Sequence, residues 1–181
     1  MSDAPNQSKD GAEGQGEGRV VVGWTGRLFE DFAVGDIYEH PFGKTITDAD
    51  NQWFTLMTQN VAKLHVDAHF AAATEFGRPL VNSTYTLALV TGQSTIDLTM
   101  NVFANLGWDE VRVPHPVFEG DTLYSRSIVL ETRTSRSRPE MGLVTVRTEG
   151  VNQDGTVVIT FRRTFMVYRQ GHLPEVGRPK R

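Results

Sequence analysis

The sequence predicts an α+β domain in which an antiparallel sheet curls around one apolar helix. Residues 83–96 carry no charged side chain, as expected of a helix with most of its surface buried. Beyond residue 110 the pattern changes to period two: Val111-Arg112-Val113, residues 123–134, residues 143–152 and residues 156–168 alternate apolar and polar side chains. That alternation marks strands with one buried face. Asp154-Gly155 between the last two runs is a hairpin signal, and Gly120-Asp121 marks a second turn. A helix followed by several antiparallel strands is the α+β arrangement.

The elements follow in order. Residues 1–19 hold four glycines, several charges and almost nothing apolar, so they read as a disordered tail that cannot offset the cost of ordering. A single domain is expected over residues 20–169, and order should begin near VVVGW at residues 20–24, as an added strand or a lid. Phe29, Phe32 and Val34 lead to a turn at Gly35-Asp36. Residues 37–46 read as the first main strand, with Pro41 forcing an edge or a bulge because it has no N–H to donate; His40 beside it reads as a surface or packing residue. Residues 47–57 open with Thr47-x-x-Asp50, a variant of the capping box, and carry Trp53, Phe54, Leu56 and Met57, which predicts a helix. A loop follows over residues 58–65. Asp67 then caps a short helix over residues 68–74, and His69 in its first turn is expected in solvent. After the bend at Gly77-Arg78-Pro79, Asn82 and Ser83 open the apolar helix, with Ser83 at its N-cap or first turn. Residues 93–105 are mixed in character and suggest a mobile flap. Residues 170–181, with two prolines and two glycines, read as a loose tail.

Composition narrows the function. With 39% hydrophobic and 22% charged residues, the chain reads as an ordinary globular protein. A net charge of −4 gives no general attraction to nucleic acid or an anionic membrane. The absence of cysteine excludes disulfides, thiolate zinc sites and cysteine nucleophiles. No run approaches the roughly 18 apolar residues of a membrane span, and the N-terminus lacks a signal-peptide pattern, so a cytoplasmic location is expected. There is no Gly-rich phosphate loop, no metal-ligand spacing and no Gly-x-Ser-x-Gly elbow.

Residues 60–91, NVAKLHVDAHFAAATEFGRPLVNSTYTLALVT, carry the candidate site. A helix beginning near Ser83 presents free backbone N–H groups and the positive end of its dipole, suited to a carbonyl oxygen or a developing oxyanion. His65 is a candidate acid–base group. The segment HVDAHFAAATEFGRPLVNS resembles the motif of MaoC-like (R)-specific enoyl-CoA hydratases: Asp-x-Asn-Pro-x-His-x-Asp, then Phe-Ala, a Pro and His-Gly. The segments GRLFEDFAVG and VPHPVFEGDTL resemble further parts of that family, so the likeness covers residues 26–168. It is most similar to the branch that hydrates branched, carboxylated enoyl-CoAs such as mesaconyl-CoA, also called β-methylmalyl-CoA dehydratase.

The resemblance implies a hotdog fold, dimers that join two sheets edge to edge, and reversible hydration of an enoyl-CoA thioester. Coenzyme A enters as part of the substrate, and no separate cofactor or metal is implied. Mapped onto the motif, His65 stands for the catalytic histidine, Asp67 for the following aspartate, Pro79 for the proline, and Ser83 for the glycine that donates an oxyanion-hole N–H. Thr91 falls where some members carry a site serine. Asn60 replaces the usual aspartate, Ala62-Lys63 replace Asn-Pro, and Asn82-Ser83 replace His-Gly. Asn60 cannot act as a base, although its amide can orient water. Lys63 and Arg78 are candidate partners for a substrate carboxylate, and Arg133, Arg136 and Arg138 for coenzyme A phosphates. Asn60 also keeps open a second reading, a non-catalytic hotdog subunit that binds acyl thioesters or supports a catalytic partner.

Overall fold

In a computed structural model of the chain, which describes residue 19 and residues 21–177, the period-two segments become long strands. They are β3 (Val102–Arg112), β4 (Thr122–Thr134), β5 (Met141–Val151) and β6 (Val157–Tyr168), preceded by the short β1 (Ile37–Glu39) and β2 (Lys44–Thr45). One antiparallel sheet runs β1-β4-β5-β6-β3, with β2 also on β4. The helices are α1 (Asp48–Met57), the single turns α2 (Lys63–Val66) and α3 (Ala68–Ala72), and the central α4 (Ser83–Gln93). The expected tail lies outside the described residues apart from Arg19, and residues 178–181 lie outside them as well.

Three expectations need correction. Residues 37–46 form two short strands, and the break falls at Pro41, where the ladder lacks a donor. The loop expected over residues 58–65 contains the α2 turn. Residues 93–105 form no flap: Thr95–Thr99 is a π-helical turn with Leu98 buried, and β3 begins at Val102. The polar residues that suggested mobility are held. Arg27 donates to the Asp97 carbonyl at 3.0 Å, Trp24 Nε1 donates to the Ile96 carbonyl at 3.0 Å, and Asn101 donates to the carbonyls of Thr25 and Arg27. Residues 21–28 thus run along this turn as neither helix nor strand.

Helix α4 is buried on one side only. Thr86, Val90 and Gln93 are buried, while Ser83, Thr84, Ala88 and Gly92 are exposed. The sheet comes close beneath it at Gly150, where a Cβ would lie 2.7 Å from Ile159 and 2.8 Å from Val90. The uncharged sequence made most of the helix surface look buried because small and hydroxyl side chains populate its outer face.

Two apolar clusters of the core flank a polar layer, and a third, smaller cluster joins Met141, Leu143 and Met166. Val90, Leu123, Ile159 and Phe161 belong to one of the flanking clusters, and Leu98, Val129, Val144 and Phe165 to the other. Between them the inward positions are Ser125 and Ser127 on β4, Thr148 on β5 and Arg163 on β6, all buried. His40 enters this layer from the β1–β2 break. Its Nδ1 donates to Asp97 Oδ2 at 2.9 Å, its Nε2 accepts from Ser127 Oγ at 2.9 Å, and Ser127 meets Thr148 Oγ1 at 2.8 Å. Asp97 is also paired with Arg27 at 3.3 Å. The expectation of a surface or packing role for His40 resolves to packing: its side chain is fully enclosed. The Ser–His–Asp relay holds the sheet to the turn after α4. Arg163 donates to Ser94 Oγ at 3.0 Å, at the C-cap of α4, and burial pushes its pKa down to about 10.

Desolvation lowers the pKa of His40, against the opposing pull of Asp97; Arg163 adds to the lowering and Glu39 opposes it. The folded pKa lies below the ordinary value of about 6.5, so between the two the unfolded chain binds the extra proton. Stability is therefore complete above that window and is lost as pH falls through it. Urea midpoints measured from pH 8 to pH 5 should decline below about pH 6.5, and His40→Gln, starting from a lower plateau, should lose that part of the slope.

Candidate active site

The site is assembled by α1, whose sequence begins with a strong stop-and-start signal. Thr47 and Asp50 form a reciprocal capping box, and Lys44 adds an ion pair to Asp50 at 2.8 Å. That pair and the cap hold the Asp50 carboxyl down at about 2. One turn inward, at i and i+4, the helix buries Asn51 and Thr55.

Asn51 binds three segments at once. Its Nδ2 donates to the carbonyls of His65 and Leu80, both at 3.1 Å, and its Oδ1 accepts from the backbone N–H of Asn82 at 2.9 Å. Asn82 continues the network: its Nδ2 donates to Thr55 Oγ1 at 3.3 Å, and its Oδ1 accepts from Thr84 N as the N-cap of α4. Asn82 rather than Ser83 is thus the cap, and Ser83 is the first helical residue. Among the described residues, the N–H groups of Ser83 and Tyr85 have no acceptor. They are orphan donors at the positive end of the dipole.

His65 sits in α2, between α1 and the strand-like segment before α4. Its Nδ1 donates to the Leu80 carbonyl at 2.9 Å. That bond fixes the tautomer and leaves Nε2 as the free base. A cavity of about 320 Å³ opens beside the ring, lined among others by His65, Leu80, Ser83, Thr86, His115 and Val158. The second wall comes from the VPHPVF segment, held by Val81 N to the Val117 carbonyl at 2.9 Å and by a bridge between Leu80 and Phe118. His115 belongs to this wall, with Nδ1 donating to the Val157 carbonyl at 2.7 Å.

Of the residues singled out in the sequence, His65 and Ser83 share this cavity; the others do not line it. Asn60 Oδ1 accepts from Ala62 N at 3.0 Å, making a local turn. Asp67 caps α3 through Phe70 N at 2.9 Å. Asn82 is buried as described, and Pro79 shapes the approach to Leu80 without lining the cavity. Lys63 is exposed, 5.8 Å over the Phe70 ring, and Arg78 stacks 4.0 Å over Phe118, so neither cation lines the cavity. Thr91 lies two turns along α4 and accepts from Trp108 Nε1 at 3.3 Å. Arg138 lies over Phe103 and near Glu140, and Arg133 lies near Glu131. The residues missed were Asn51 and His115. Two polar side chains four apart on the helix face opposite Trp53 could have flagged Asn51, and the sequence of VPHPVF placed His115 in plain view.

Residues 18–178 match the family model described as mesaconyl-CoA hydratase. The chain belongs to the mesaconyl-CoA hydratase family. A mesaconyl-CoA hydratase from Cereibacter sphaeroides is 32% identical over 80% of this chain, and one from Haloarcula marismortui is 35% identical over 80%. A β-methylmalyl-CoA dehydratase from Chloroflexus aurantiacus is 32% identical over the same share. The chain spans 41–42% of the length of these curated relatives. Among solved structures, a monoamine oxidase regulatory protein from an Archaeoglobus species superposes with a TM-score of 0.73 at 27% identity, covering 82% of this chain and 99% of that one. A double-hotdog protein from Mycobacterium tuberculosis superposes with a TM-score of 0.76 at 25% identity, over 86% of this chain and 48% of that one. The fold is therefore the hotdog fold expected of a mesaconyl-CoA hydratase family member.

Replacing Asn51 by Ala would leave the His65 carbonyl without its donor and the buried Asn82 N–H without its acceptor, while the Leu80 carbonyl keeps His65 Nδ1; the cost is roughly 1–3 kcal/mol for each group that water does not reach. Denaturation of Asn51→Ala should show a loss of about 2–4 kcal/mol. Asn51→Asp should also destabilise, because a carboxylate accepts from Asn82 but donates to neither carbonyl.

Proposed function

We propose that this chain catalyses the reversible hydration of an enoyl-CoA thioester whose acyl group is branched and carboxylated, of the mesaconyl type. The observation that carries the reading is the position of His65, with one ring nitrogen committed to the Leu80 carbonyl and the ring lining a cavity that also opens at the N-terminus of α4. In this scheme the thioester oxygen sits at the N–H groups of Ser83 and Tyr85. His65 takes a proton from water as the oxygen adds to the β-carbon, and negative charge gathers on the thioester oxygen. The helix end stabilises it. The imidazolium then returns the proton to the α-carbon, so one group serves as base and acid in turn. The scheme uses no metal or separate cofactor; coenzyme A arrives with the substrate.

The names of the curated relatives support the acyl class, and the match over residues 18–178 supports the reaction type. A homodimer or higher homo-oligomer is supported by β3, an edge strand of the sheet that exposes Phe103, Leu106 and Trp108. Among the described residues, no helix is long and apolar enough to cross a membrane. Together with an acyl-CoA substrate, this supports a place in the cytoplasm. A second reading, the binding subunit, is favoured by the absence of a carboxylate among the residues lining the cavity and by the engagement of Asn60 with Ala62.

Loss of enoyl thioester absorbance should occur with mesaconyl-CoA, and His65→Ala should slow it by about 10²–10⁴-fold, the usual weight of an acid–base group. If a folded wild-type chain leaves mesaconyl-CoA, crotonyl-CoA and a longer trans-2-enoyl-CoA all unchanged, while Asn60→Asp gains activity, the binding-subunit reading replaces this one.

A further inference from the structure

We propose that His115 is the residue that recognises the carboxylate of the acyl group, an inference that rests on the mesaconyl-type substrate proposed above. The argument begins with the substrate. In a mesaconyl-type thioester the carboxylate is bonded directly to the double bond, three bonds from the thioester carbonyl carbon. A carbonyl held at the N-terminus of α4 therefore places the carboxylate inside the same cavity.

A cationic partner there would gain a charge-assisted hydrogen bond with that carboxylate. No lysine or arginine lines the cavity. The two nearby cations in the sequence are spent elsewhere, Lys63 over Phe70 and Arg78 over Phe118. His65 is committed to the proton transfers. The remaining group that can carry positive charge among the lining residues is His115.

Its setting suits the task. Nδ1 donates to the Val157 carbonyl at 2.7 Å, which orients the ring and remains satisfied in the imidazolium form. In that form Nε2–H becomes a second donor, free for a charge-assisted hydrogen bond to the carboxylate. The prolines on either side of His115, Pro114 and Pro116, have fixed φ and stiffen the segment that presents it. The two histidines thus divide the work: each has Nδ1 on a backbone carbonyl, His65 turns over a proton, and His115 meets the carboxylate.

The test compares binding of two saturated thioesters, methylsuccinyl-CoA and butyryl-CoA, by calorimetry to the wild type, His115→Gln and His115→Lys. The ratio of the two affinities should fall at least about tenfold in His115→Gln, the loss of one charge-assisted hydrogen bond. It should be restored in His115→Lys, which keeps a cation. A merely structural role would change both thioesters alike and leave the ratio in place, and that result would overturn the assignment. An unchanged ratio in a wild type that hydrates mesaconyl-CoA would sink the role of His115 alone. A wild type that hydrates none of mesaconyl-CoA, crotonyl-CoA and the longer trans-2-enoyl-CoA would sink the reaction, while the binding ratio would still decide the role of His115.

Discussion

The arrangement of the cavity depends on the carboxamide of Asn51. Three chain segments meet at this side chain: the His65 turn, the Leu80 segment and the first residue before α4. A planar amide offers two donors and an acceptor at fixed angles, and here each is used by a backbone group. The buried pair Asn51 and Thr55 holds α1 in place by polar contacts, while Trp53, Leu56 and Met57 on its other faces remain exposed. Hydrogen bonds rather than apolar burial thus set the position of the histidine relative to the helix end. That division has a physical consequence. An apolar contact tolerates small slides, whereas three directional bonds fix the distance between base and oxyanion donors within a few tenths of an ångström.

A second constraint is the one-sidedness of the core. The sheet covers one face of α4 and the opposite face exposes Thr84, Ala88 and Gly92, while Leu89, Ile96 and Met100, with Phe42 beside them, line an open apolar groove. The long edge strand β3 likewise exposes large side chains. Unpaired strand edges and apolar patches of this kind are surfaces on which chains commonly gain partners. The curated relatives are more than twice as long as the matched region, and the double-hotdog structure aligns over about half its length. The polar layer between the two core clusters works in the other direction. By enclosing His40, Ser127 and Arg163 it costs stability that an apolar layer would not, and it fixes the β1–β2 break against the turn after α4.

Much of the fold was legible because the signals were local and periodic. Residues 123–134 and 156–168 alternate cleanly, so β4 and β6 were placed to within a residue. The capping box at Thr47 and the cap at Asp67 fixed two helix starts by hydrogen bonds between near neighbours. What failed was non-local. Residues 93–105 looked mobile because their polar side chains find partners some seventy residues away in sequence, at Thr25 and Arg27. The outer face of α4 looked buried because Ala88 and Gly92 carry no charge to betray it. In the site, His65 and Ser83 were visible through their motif and helix-start chemistry. Lys63 and Arg78 were attractive by adjacency, but Lys63 and His65, two apart on the one-turn α2, point to different faces, Arg78 lies in the bend before Leu80, and aromatic rings captured both cations. Asn51 gave only the weak sign of two polar residues four apart, and nothing local in VPHPVF tells that His115 faces the cavity with His65.

The central claim is that His65 and the N-terminus of α4 act on one thioester in one cavity. The most direct measurement is a crystal structure with bound methylsuccinyl-CoA, which cannot react. The account predicts the thioester oxygen within hydrogen-bond reach of the Ser83 N–H, with the acyl carbons facing Nε2 of His65. A ligand seated instead along Phe42, Leu89 and Met100, with the His65 cavity empty, would contradict it.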